Sequence, residues 1–123
     1  MSDKPCILIA DDESLNYLYY CEIIDKNKYE IIYVDNGNDA IQAMLNQENK
    51  ISLILMDMKM PGIDGFTATS EIRKFNTDIP IIAQTAYAYK DDFDKAIAAG
   101  CNDYISKPIH EKLLISKIEK LLK

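Results

Sequence analysis

A doubly wound α/β domain, with a parallel sheet covered by helices on both faces, is the fold class that this sequence predicts. Five runs rich in β-branched and aliphatic residues recur at strand length, and segments with helical apolar spacing separate them. The runs are also apolar throughout instead of alternating with polar residues. That is the pattern of strands buried on both faces.

The first run is CILIA (6–10), followed by a helical segment from about Ser14 to Lys26 that is apolar on more than one side. YEIIYV (29–34) leads through Asp35, Asn36 and Gly37, read as a turn and cap, into a helix with Ala40, Ala43 and Met44 on its apolar face. SLILM (52–56) precedes a helix carrying Ala68, Ile72 and Phe75, and IPIIAQ (79–84) precedes one carrying Phe93 and Ile97. DYIS (103–106) precedes the last helix, with Leu114, Ile115, Ile118, Leu121 and Leu122. In AAG, Gly100 stands where a helix commonly takes a left-handed C-terminal residue, and NKY and NTD read as turns.

The 123 residues suffice for one core, and the expectation is a single domain over 1–123. No repeat, linker or low-complexity tract interrupts the chain. A net charge of −6 argues against direct binding of nucleic acid, whose affinity comes largely from clustered Lys and Arg. Cys6, Cys21 and Cys101 form no CxxC pair and lie in or beside apolar runs, as reduced core thiols do. With no signal-peptide hydrophobic region and no run of bilayer length, the expectation is a cytoplasmic chain without membrane insertion.

Ligands of such sheets bind at the carboxyl ends of the strands, near the reversal of strand order. There the polar residues form a set: Asp11, Asp12 and Glu13 after the first run, Asp57 in ISLILMDMKMPGIDG after the third, Thr85 after the fourth, and Lys107 with Pro108 after the fifth. Singly, each has an ordinary use as a cap or turn residue. Together they need a further reason.

Carboxylates that converge repel, by roughly 4 kcal/mol per pair at 4 Å and an effective dielectric near 20. A hard divalent cation relieves this, and Mg2+ suits a carboxylate set. A zinc site is not expected, because the one histidine, His110, is isolated at the start of the last helix in an exposed or capping position. Asp57 then either ligates only, or also attacks phosphorus to form an acyl phosphate. Lys107 and Thr85 favour attack, since an ammonium and a hydroxyl suit the added phosphoryl oxygens, and the small Ala86 leaves an entrance.

ILIADDE, LILMDMKMPGIDG, PIIAQTAYA and GCNDYISKPI resemble the receiver domains of two-component response regulators, over nearly the whole chain. TAYA with GCNDYISKPI is similar to receivers attached to hybrid histidine kinases. The resemblance implies a flavodoxin-like (βα)5 fold with strand order 2-1-3-4-5, and a signalling phosphoacceptor in place of a turnover enzyme. Asp57 matches the phosphoacceptor. Asp12 matches the direct magnesium ligand, Asp11 the acid acting through water, and the backbone carbonyl of Lys59 the third protein ligand. Lys107 matches the lysine that pairs with the phosphoryl group, its bond to Pro108 being cis in the family; Thr85 matches the switch hydroxyl and Tyr104 the aromatic that turns inward with it. The implied partner is a histidine kinase or histidine phosphotransfer protein, or the rest of a hybrid kinase chain.

Lys59 and Tyr87, two residues beyond Asp57 and Thr85, are expected to tune the lifetime of the phosphoryl group. Tyr17, Tyr19 and Tyr20 lie on the first helix, where receivers commonly meet their partner. The expected output face comprises the fourth helix, fifth strand and fifth helix. Two rivals share the architecture. An aspartate-nucleophile phosphatase of the haloacid dehalogenase type wants a second Asp where Lys59 stands; a nucleotide-binding module wants a Gly-rich loop where ADDESLN stands.

Overall fold

In the computed structural model, which describes residues 4–47, 50–86 and 90–123, strands and helices alternate as expected. They are β1 (Cys6–Ala10), α1 (Ser14–Ile23), β2 (Glu30–Val34), α2 (Gly37–Gln47), β3 (Ile51–Asp57), α3 (Gly65–Arg73), β4 (Ile81–Thr85), α4 (Lys90–Ala99), β5 (Asp103–Ser106) and α5 (Glu111–Leu121). The sheet is parallel throughout, in the order β2-β1-β3-β4-β5. The order reverses at β1, so the crevice lies between the carboxyl ends of β1 and β3.

Alternation along each strand divides the core into two layers. Leu8, Ile54, Met56, Ile81 and Ala83 pack with Ala40, Met44, Ala68, Ile72 and Ala96 from α2, α3 and α4. Ile7, Ile9, Leu53, Leu55, Ile82 and Ile105 pack with Tyr20, Leu114 and Ile118 from α1 and α5. Burial of each such Ile or Leu contributes about 1.5–3 kcal/mol. Both faces must therefore be covered for the sheet to persist.

Several details depart from the sequence reading, each for a local reason. α1 stops at Ile23, short of Lys26, because Asp25 takes over the backbone: its Oδ1 accepts from Asn27 N–H at 2.8 Å and its carbonyl from Lys28 and Tyr29. α3 ends at Arg73, so Phe75 falls beyond the helix and is 38% exposed. In the turn that follows, Asn76 Oδ1 accepts the N–H groups of Asp78 and Ile79. On α4 the buried residue is Ala96, and Ile97 faces outward. The expected turn at Asn36 is present as a cap, its Oδ1 accepting from Asp39 N–H at 2.8 Å. Gly100 has φ +119, the left-handed value read from AAG.

Candidate functional site

Asp57 is the last residue of β3, and the sheet continues past it, since Met58 N–H donates to Gln84 O at 3.0 Å. Asp57 is 2% exposed. Oδ1 accepts from Lys59 N–H at 3.1 Å, and Oδ2 has no hydrogen bond among the described residues. Lys107 Nζ lies 3.8 Å from Oδ2 and 3.6 Å from Glu13 Oε1.

β1 delivers the other acids. Asp11 N–H donates to Val34 O at 3.1 Å, which keeps the chain in the sheet for one residue beyond β1. The Asp11 side chain is buried, whereas Asp12 is exposed. One oxygen from each of Asp11, Asp12 and Asp57 lies within 4.8 Å of the others. Burial pushes the Asp57 carboxyl up to about 7; Lys59 N–H and Lys107 oppose this, and Asp11 and Asp12 add to it. Acids raised this far cluster at functional sites.

The donor set fits a hard divalent cation. All three groups are carboxylates, and the Asp57 oxygen that lacks a hydrogen bond among the described residues is buried in a side chain clustered with two further acids. Native proteins leave few buried polar atoms unpartnered, and oxygen ligands of this kind suit Mg2+.

From the next strands, Thr85 at the end of β4 is buried, its Oγ1 without a partner among the described residues. Lys107 N–H donates to Thr85 O at 2.8 Å, which continues the β4–β5 ladder to the lysine, and the Lys107–Pro108 bond is cis. The fold thus brings together Asp11, Asp12, Asp57, Thr85 and Lys107 at one edge.

A family model described as the response regulator receiver domain matches residues 7–119. The chain belongs to that family. This receiver is 35% identical over 121 residues to hybrid signal transduction histidine kinase M of Dictyostelium discoideum, covering 94% of this chain and 5% of that protein. It is 35% identical over 118 residues to the polar-differentiation response regulator DivK of Brucella anthropi, covering 94% of both. Among solved structures, the receiver domain of a Pseudomonas aeruginosa sensor histidine kinase aligns with a TM-score of 0.87 and 30% identity, over 97% of this chain and 98% of that one. That crystal holds a magnesium ion coordinated in its active site cleft. The chain therefore spans nearly all of a free-standing regulator and a small part of the kinases.

Elsewhere in the receiver, Tyr104 on β5 is half-buried and stacks on Phe93 of α4 with centroids 3.6 Å apart, while Lys117 Nζ lies 5.5 Å from its ring. Tyr87 lies outside the described residues. The three tyrosines of α1 do not form one surface cluster. Tyr20 is 1% exposed, and its hydroxyl lacks a partner among the described residues. Tyr17 stacks on Tyr33 at 4.0 Å, and Tyr19 alone of the three is exposed, donating to Ile109 O at 2.9 Å. The exposed apolar surface of α1 is instead Leu15, Leu18 and Tyr19. His110 is exposed at the N-cap of α5 and makes no side-chain cap bond.

Sequence reasoning missed three features. Gly65 admits no Cβ: one would collide with Asp57 O and lie 2.7 Å from Met58 Cα, so α3 starts hard against the end of β3. Glu13, grouped with the acids, also pairs with Lys107. Gln84, counted only as strand, has its amide in the acid cluster, donating to Asp11 Oδ2 at 2.9 Å. A polar residue in an otherwise apolar strand was the available signal.

Proposed function

We propose that the chain is a single cytoplasmic receiver domain that takes a phosphoryl group onto Asp57 from a phosphohistidine of a histidine kinase or histidine phosphotransfer protein. The observation that carries this reading is the buried Oδ2 of Asp57, without a hydrogen bond among the described residues and with the Lys107 ammonium 3.8 Å away. Asp57 and Asp12 would hold Mg2+ directly, Asp11 through water, and Lys59 through its backbone carbonyl. When bound, the cation supplies charge neutralisation for phosphoryl transfer.

The protein's own groups do the rest. Asp57 Oδ2 forms a bond to phosphorus as the phosphorus–nitrogen bond of the donor breaks, and the imidazole departs with that electron pair. The Lys59 amide holds Oδ1, so that Oδ2 is the oxygen presented. Lys107 exchanges its contact with Asp57 for the phosphoryl oxygens, and Thr85 donates its hydroxyl to another.

Such charge-assisted hydrogen bonds contribute roughly 1.5–3 kcal/mol each, and shifting a two-state equilibrium from 1:99 to 99:1 requires about 5.5 kcal/mol. Two contacts and burial of the Tyr104 ring together have that size. The output then emerges on α4, β5 and α5. Leu15, Leu18 and Tyr19 of α1 form the apolar surface on which the phosphohistidine partner docks. Leu18→Glu should slow transfer from the partner and spare labelling by acetyl phosphate.

Intact mass after incubation with acetyl phosphate and Mg2+ tests the assignment. The wild type should gain one phosphoryl group and Asp57→Asn none. Equal gain by both would remove Asp57 from the role.

A further inference from the structure

Gln84 follows the apolar stretch Ile81–Ala83 of β4 and is 2% exposed. A buried amide costs free energy unless hydrogen-bonded. Its partner does not lie on the adjacent strand. β4 borders β3 and β3 borders β1, yet Gln84 Nε2 donates to Asp11 Oδ2 at 2.9 Å, so the side chain reaches across the strand of its own register partner, Asp57.

The other Asp11 oxygen, Oδ1, accepts from Glu13 N–H at 2.9 Å. Rotation of an aspartate carboxylate about χ2 is soft and roughly two-fold, so one hydrogen bond leaves its plane free to turn. Two bonds from different elements fix it. A neutral donor does this without adding positive charge, whereas a lysine or arginine there would compete with a divalent cation.

We propose that Gln84 is a positioning residue that acts through Asp11, fixing the plane of that carboxylate towards the divalent cation; the proposal rests on reading the three aspartates as the Mg2+ site. Loss of the groups that orient metal ligands typically weakens metal binding about 10- to 100-fold. Gln84→Met keeps the length of the side chain and removes the donor. Calorimetry on the full chain should show its Mg2+ dissociation constant raised by about 10- to 100-fold. The Glu13 amide resonance should shift in the metal-free variant, because its acceptor is released. Labelling by acetyl phosphate should need more Mg2+ for half-maximal rate and keep its rate at saturating Mg2+.

Gln84→Leu repeats these measurements should the methionine fold poorly. An unshifted Glu13 amide and an unchanged dissociation constant, with stability alone reduced, would make Gln84 a packing residue and overturn the inference while leaving the cation site intact. Failure of the wild type itself to bind Mg2+ saturably would overturn the cation site, and the inference with it.

Discussion

Replacing Asp57 by Asn should stabilise the metal-free protein, although it removes the reactive group. The wild-type carboxyl is 2% exposed, and its surroundings raise it from 3.8 to about 7. An acid raised in the native state binds more protons folded than unfolded between those two values, so its contribution to stability falls as pH rises through that window. Above pH 7 the full difference opposes folding. About three pKa units at 1.36 kcal/mol each give about 4 kcal/mol. Asparagine has nearly the same shape and no charge, so it escapes this cost.

Urea unfolding in EDTA should therefore show Asp57→Asn more stable by up to about 4 kcal/mol at pH 8, with the gap closing towards pH 4. With a urea slope of about 1–3 kcal/mol/M for proteins of this class, the full difference of about 4 kcal/mol would raise the midpoint by more than about 1 M. Saturating Mg2+ should stabilise the wild type and narrow the difference, because a ligand that binds only the native state adds stability by mass action. Equal stabilities at pH 8 in EDTA, or a gap that does not depend on pH, would refute the reasoning.

Tyr20→Phe removes a buried hydroxyl without a hydrogen-bond partner among the described residues, and should raise stability by about 1 kcal/mol in the same titration. Gly65→Ala places a methyl group against the backbone of Asp57 and Met58; it should cost about 1–3 kcal/mol and slow labelling by acetyl phosphate, since α3 must retreat from the residue it braces. Arg73 donates to Gly100 O, Asn76 O and Asn102 Oδ1, joining the end of α3 to the loop before β5. Arg73→Met should lower thermal stability by about 2 kcal/mol, because two half-buried carbonyls lose a charged donor.

The strand ends were legible because five apolar runs of similar length mark where a parallel sheet stops, and polar residues beyond them collect at one edge. Asp57, Thr85 and Lys107 stand out for that reason. The first helix was not legible in the same way: with apolar side chains on several sides, periodicity does not separate the buried Tyr20 from the exposed Leu15 and Leu18. Phe75 and Ile97 were misplaced because apolar spacing does not register where a helix ends, or how a single alanine, Ala96, lets α4 approach the sheet. Gln84 and Glu13 act on partners distant in sequence, and such pairings follow from strand order, not from local pattern.

Gln84 and Thr85 are consecutive, yet strand alternation turns them to opposite sides: Gln84 towards the layer of α1 and α5, and Thr85 towards that of α3 and α4, where Tyr104 also packs. The hydrogen bond to Asp11 and the buried Thr85 hydroxyl thus lie on opposite faces of the sheet. A single peptide link joins them, so a small displacement of β4 at that point is felt on both faces at once.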